Sequence, residues 1–324
     1  IFTAIVRFIV SPPIMKSLTA LTDPVFVEKD RYNRYDRFWL RILPDKRDLP
    51  FIYLLTTIHI LVVPVAILLF TPLLKGWVWW AVAIPYFYIS QLYFKGRFGL
   101  MFHCLCHRKT FKAPWQQPFH AYTTWILCPL FGHAPEGYFS HHMGMHHIEN
   151  NMPDDTSSTM GYQRDSLRGF LAYFFKFIFR GVIDTIRYLF ARKRKKLYQR
   201  LTIGEYVYLL FCIGMCFVNL KATLVVFIVP LLFARLVMML GNWTQHAFID
   251  AVEPGNLYRS SINCINTVYN KTCWNDGYHI IHHLRPGMHY TDMPAEFLKR
   301  KDEFALQKAI VFDGIHYLHI FTWL

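Results

Sequence analysis

The sequence predicts an all-α integral membrane protein, with four transmembrane helices in two hairpins and a histidine-rich helical cap on the cytosolic-type face. Three observations carry this. The chain is 54% hydrophobic and 18% aromatic but only 17% charged, too apolar for a soluble protein of 324 residues. Four apolar runs each approach the ~20 residues that cross ~30 Å of hydrocarbon. Lys and Arg are uneven along the chain, with 9 before residue 51, 16 in residues 95–202 and 7 after residue 240.

Residues 1–50 read as a cytosolic-side or interfacial segment. No cleavable signal peptide is evident, and the chain begins with Ile1, which leaves room for an upstream segment such as a targeting peptide. The first hairpin pairs residues 51–70, extending to about Leu74, with residues 77–94 through Lys75 and Gly76. The second pairs residues 203–220 with 222–240 through Lys221. The tips carry only Lys75 and Lys221, and Arg235 lies inside the fourth span, so the positive-inside rule puts the N-terminus, the central segment and the C-terminus on one face. Residues 51–295 thus form a membrane domain, and 296–324 a C-terminal cytosolic-side segment. Within the central segment, residues 119–132 are apolar but too short to span, and read as re-entrant or interfacial. Residues 167–190 mix aromatics with periodic Lys and Arg, the pattern of an amphipathic helix lying on the membrane, followed by the basic run Ala191–Lys196. The net charge of +14 is scattered among membrane segments, which favours anionic headgroups over nucleic acid as its counterpart. The seven cysteines form no even framework. Cys212 and Cys216 sit in an apolar run, and Cys104 and Cys106 flank Leu105 at a spacing that is not a zinc ribbon's, so packing is their expected role.

Histidines cluster in three boxes: His103 and His107 in "HCLCH"; His142, His146 and His147 in "HHMGMHH"; His279, His282 and His283 in "HIIHH". A fourth element, "NWTQH", offers Asn242 and His246. On a helix, residues three or four apart share a face, so His103 with His107, and the three histidines of the third box, point together. In the second box, α-helical spacing stacks His142 with His146 and turns His147 by about 100°. His141 is an alternative to His142. Imidazoles suit iron, zinc and copper. Nine histidines exceed the four ligands of a structural zinc and fit two metals with a position left for water or oxygen. His59, His120, His133, His316 and His319 read as ordinary packing or surface residues, and His289 as structural or supporting.

These boxes and their flanks, above all "NDGYHIIHHLRPGMHY", resemble the membrane fatty acid desaturase and hydroxylase superfamily over about residues 50–295. The resemblance implies a non-haem di-iron site on the nine histidines, with Asn242 contacting one iron through water, and O2 as co-substrate for C–H cleavage on a long acyl chain. The second box departs from the His-x-x-His-His of many acyl desaturases by one residue, a spacing shared with alkane hydroxylases. The third box and its flanks look more like the acyl-lipid desaturase pattern, so desaturation ranks above hydroxylation or oxidative decarboxylation. A catalytically silent subunit of a larger membrane complex is the reading from another class.

Further expectations follow. The acyl tail enters a tunnel lined by residues such as Trp77, Trp79, Trp80 and Phe87. Glu149, Asp154, Asp155, Asp250, Asn275 and Asp276 are candidates to hold the imidazoles by their other N–H. No dinucleotide fingerprint, iron–sulfur cysteine set or haem signature is present, so electrons are expected from a separate small haem protein or ferredoxin. The face at Arg192–Lys196 would steer that donor or contact anionic lipid. An endoplasmic reticulum or organellar membrane is the expected location.

Overall fold

The computed structural model describes residues 20–324, so the first part of the expected segment 1–50 lies outside the described residues. The chain divides into two compact units. The larger comprises Glu28–Ile148 and Phe177–Met238; the other comprises, of the described residues, 20–27, Glu149–Lys176 and Met239–Leu324.

The larger unit is helical. Helix α1 (Arg34–Leu40) opens on a reciprocal capping box between Asn33 and Asp36. Helices α2 (Leu49–Leu61) and α3 (Val63–Phe70) are separated at Val62 because Pro64 has no N–H to continue the ladder. Helix α4 (Gly76–Phe87) continues through a π-helical turn, Tyr88–Phe94, into α5 (Lys95–His107). Trp79 Nε1 donates to the Leu69 carbonyl at 3.0 Å, so α4 runs back along α3.

The expected short apolar segment is a helix of three parts: α6 (Gln116–Tyr122), a π turn (Thr123–Leu127) and α7 (Cys128–Leu130). It ends buried, where its last carbonyls need donors. Gln91 Nε2 donates to Leu130 O at 3.0 Å and Lys95 Nζ to Phe131 O at 2.6 Å. Gly132 then reverses the chain at φ +74°, where a side chain would also meet Pro230 O at 1.9 Å.

Helix α8 (Gly137–His141), a π turn (His142–His146) and α9 (His147–Glu149) carry the second box. Helix α10 (Leu167–Ala191) starts in the other unit, to which its residues up to Lys176 belong, and buries Phe170, Tyr173, Phe177, Thr185 and Leu189 along one row. Helix α11 (Lys195–Thr223) is followed by a π turn, Leu224–Ile228, and α12 (Val229–Gln245). These form one apolar stretch, Lys195–Gln245, of 51 residues, but it is not straight. Asn219 is extended (φ −159°, ψ 99°), and Tyr208 Oη donates to Phe227 O at 3.2 Å. Nineteen residues of straight helix would separate that pair by about 28 Å, so α11 and the chain after it fold back on each other. Two stretches among the described residues are long and apolar enough to cross a membrane, Lys46–Phe70 and Lys195–Gln245.

The second unit departs from the all-α expectation. Strand β1 (Ile262–Ile265) pairs in parallel with β2 (Ile310–Asp313), Ile262 opposite Ile310. Each strand has four residues, too few to declare a period of two. Around them lie α13 (Val268–Thr272), α14 (His279–Leu284), α15 (Met293–Lys299), α16 (Lys301–Leu306) and α17 (Tyr317–Trp323). Tyr258, Ile265, Tyr278, Ile281, Phe297 and Phe304 form one core cluster. The boundary expected at residue 295 falls inside α15, and β2 ties residues 310–313 to the same unit as the third box.

Candidate metal centre

Each unit gathers its own histidines. In the larger unit, α5 ends on His103 and His107, one helical turn apart, and the π turn brings His142 and His147 toward them. One ring nitrogen from each of these four lies within 4.8 Å of the others. His107 Nε2 and His147 Nε2 each stand 3.0 Å from His142 Nε2. Burial, and then the charge of His103, pushes His107 down to about 3. His142 is also held well below the ordinary imidazole value, first by burial and then by the neighbouring histidines. His107 and His142 are thereby held in the neutral form that ligates metal. Tyr138 stacks on His142 with ring centres 5.2 Å apart.

The second box corrects the α-helical expectation. His142 pairs with His147, ring centres 4.4 Å apart, and stands 5.7 Å from His146. The cause is the π turn, whose hydrogen bonds run to the fifth residue rather than the fourth. His146 is buried beside them, 6.0 Å from His147 between ring centres. His141 takes no part in the quartet; its ring meets Phe177 at 5.8 Å. Arg194 Nη1 donates to Gly144 O, inside the π turn, at 2.9 Å.

In the second unit, His246, His279 and His283 bring ring nitrogens within 4.8 Å of one another, with His283 Nε2 3.1 Å from His279 Nε2. His246 Nδ1 donates to Ser260 O at 2.6 Å. That bond sets the tautomer and leaves Nε2 as the nitrogen with a lone pair. His282 is buried on the same helix, its ring centre 5.7 Å from those of His279 and His283. Gly277 is required just before the box, because a side chain there would meet Cys264 O at 2.2 Å.

The supporting candidates divide. Asp276 accepts from Tyr269 Oη at 2.7 Å and Gln245 Nε2 at 3.3 Å, joining the segment before the third box to the end of α12. Asn275 donates to Pro24 O and Tyr290 O, both at 2.8 Å, and is a backbone clamp. His289 accepts from Thr291 N at 3.2 Å and caps a short 3-10 turn. Asp155 holds its own loop through Ser157, Asp250 accepts from Val252 N in a surface turn, Glu149 closes α9 half-buried, and Asp154 is exposed. Asn242 spends its Nδ2 on Ser157 O and Tyr173 Oη, both at 2.8 Å, so only its Oδ1 is left to face a water. Of the histidines expected to be bystanders, His59 bonds Leu55 O, and His316 and His319 cap α17.

Of the expected tunnel residues, Phe87 packs on Phe233 with ring centres 6.4 Å apart, and none of the four lines the two spaces described below. Trp77 and Trp80 are exposed, and Trp79 is buried against α3. A largely apolar cavity of about 560 Å³ instead lies among residues such as Ile67, Phe70, Trp125, Phe211 and Phe227. A second space of about 50 Å³, lined by His133, Gly137, Tyr138, His141, Glu205 and Arg235, lies beside the second box. It has room for a water or two. Glu205 and Arg235 pair there at 3.1 Å. Tyr138 and the Glu205 partner of Arg235 were missed by sequence reasoning, and Arg194 was expected only as part of a basic face; for Glu205 and Arg235 the usable signal was an ionisable residue inside each of two apolar runs.

The sequence model of the fatty acid desaturase family matches residues 77–313, most of the chain and all four histidine elements. The chain belongs to the fatty acid desaturase family, whose members are membrane-associated and act on fatty acyl substrates. No curated protein and no solved structure matches it.

Proposed function

We propose that this chain is a non-haem di-iron, O2-dependent oxidoreductase that introduces a double bond into a long acyl chain. The observation that carries the reading is the pair of convergent imidazole clusters within a desaturase-family sequence. His103, His107, His142 and His147 hold one part of the metal pair, and His246, His279 and His283 another. His146 and His282 supply the remaining donors, with Asn242 acting through a water at Oδ1. An all-imidazole donor set fits iron, and seven of these nitrogens already converge as two groups. When bound, the metals supply the oxidising power for an unactivated C–H bond, which no side chain has.

The chain's own residues orient and shield. Ser260 O sets the His246 tautomer, Tyr138 covers one face of His142, and Arg194 holds the π turn. Four membrane crossings in two hairpins, with all four histidine elements on the cytosolic-type face of an endoplasmic reticulum or organellar membrane, complete the reading. Electrons come from a separate small haem protein or ferredoxin. The extra residue in the second box favours hydroxylation as the second reading, and the π turn that absorbs it favours desaturation.

The test is to load purified protein with iron and supply a reduced donor, O2 and labelled acyl lipids. Two irons per chain and products two hydrogens lighter are expected. Products one oxygen heavier, or shortened by carbon dioxide, would move the assignment within the superfamily; absence of iron binding would end it.

A further inference from the structure

Helix α10 carries two opposed faces. One is the buried row already described. The other exposes large apolar side chains at every fourth position, Leu171, Phe175, Phe179 and Ile183, and again at Phe190. Phe179 is 72% exposed. Directly beside that row stand Lys176, Arg180 and Arg187, all exposed. Asp184 is the one acid on the helix, shared between Arg180 at 3.4 Å and Arg187 at 3.7 Å. At its C-terminus α10 closes with Lys193 at φ +58° and Arg194 N donating to Leu189 O at 2.9 Å. The chain then turns at once into α11, the start of the long apolar stretch. The turn carries Arg192, Lys193, Lys195 and Lys196 exposed, while Arg194 is spent on Gly144 O.

We propose that α10 and this turn form a binding surface for anionic lipid headgroups, with the helix lying in the membrane plane. The proposal rests on the membrane reading above and adds a headgroup preference to it. The exposed Phe row reaches below the headgroups into the acyl boundary, as interfacial helices do. The basic side chains lay their methylene stems over the same boundary and keep their charges at headgroup level. Apolar and anionic material side by side within one helix width is what a bilayer surface offers. An acidic protein surface offers the charge without the apolar layer beneath it. Clusters of Lys and Arg where a chain enters the bilayer are the electrostatic signature of anionic-lipid recognition.

The test uses the full chain in nanodiscs of phosphatidylcholine containing phosphatidylglycerol, with retained lipid read by mass spectrometry. Wild type should enrich phosphatidylglycerol over its input fraction. Each charge near an anionic surface is worth up to about five-fold in association, so Lys176→Gln/Arg180→Gln/Arg187→Gln should lower the enrichment at least about three-fold. The charge-matched control Arg31→Gln/Lys271→Gln/Lys301→Gln should leave it unchanged. A photo-crosslinking phenylalanine at position 179 should capture lipid. Equal loss in variant and control, unchanged enrichment in the triple variant, or capture of residues 1–19 or a second copy would overturn the proposal. Failure of wild type to stay with the bilayer would instead remove the membrane reading beneath it.

Discussion

Arg194 belongs by sequence to a basic run, yet its guanidinium reaches Gly144 O at 2.9 Å. A π turn alters the helical hydrogen-bond ladder, and a buried carbonyl left without a donor costs about 1–3 kcal/mol. Arg194→Ala should therefore lower thermal stability by about that amount. It should also weaken metal retention at the second box about 10- to 100-fold, the range for groups that hold ligands in place. Arg194→Lys should recover part of both. Wild-type metal content in the alanine variant, read by elemental analysis, would show that the contact does not position the box. Asp45 acts on the first box from the other side, since Arg108, next to His107, bonds its carboxylate at 2.9 Å. Burial pushes the Asp45 carboxyl up, but hydrogen bonds from Arg47 and then Arg108 outweigh it and hold the group well below its usual 3.8. A carboxyl depressed in the folded state stabilises fully above its unfolded value and loses that contribution as pH falls below about 4. Asp45→Asn should flatten the acid limb of a stability–pH curve while leaving its alkaline limb alone; an unchanged acid limb would contradict this.

The π turn at His142–His146 is the element on which the second box depends. Beside the shorter His-x-x-His-His pattern the box carries one extra residue, and a π turn accommodates one extra residue per turn. Deleting Met143, which is only half-buried, should convert the turn to a regular α turn and keep His142 aligned with His147 at the fourth position. The deletion variant should fold and hold wild-type iron, whereas inserting Ala after Met143 should abolish iron binding. Loss of iron in the deletion variant would mean that the π turn does more than absorb the extra residue. The same element shows where sequence reading stopped. The nine histidines were legible because their spacing repeats across three boxes. Their facing within the second box was not, because α spacing pairs His142 with His146 and only a backbone hydrogen-bond pattern reveals His147. Likewise Arg235 was visible as a charge in an apolar run, but its partner Glu205 is thirty residues away and meets it only after the reversal at Asn219.

At the scale of the molecule, the apolar runs and the charge asymmetry were legible because both are properties of composition along the chain. The parallel pairing of β1 with β2 was not, because four-residue strands far apart in sequence carry no local signature. The tunnel residues were misplaced because a row of tryptophans faces outward as readily as inward in an apolar environment. The last prediction concerns how the chain crosses the bilayer. Trp79 bonding back to Leu69, and Tyr208 to Phe227, show the chain reversing after α3 and again at Asn219. If the arms joined at these reversals cross the bilayer, Lys75 and Lys221 at the tips must face the compartment opposite to the basic turn at Arg192–Lys196 and to Lys271 near the third box. On a cysteine-free background, single cysteines at 75 and 221 should react with an impermeant thiol reagent from one side only. Cysteines at 195 and 271 should react from the other. The charge count fixes the expected sense, with the Lys195 and Lys271 positions on the cytosolic-type face. Labelling of positions 195 and 271 from opposite sides would break the arrangement, because histidine elements separated by a bilayer could not share one metal pair.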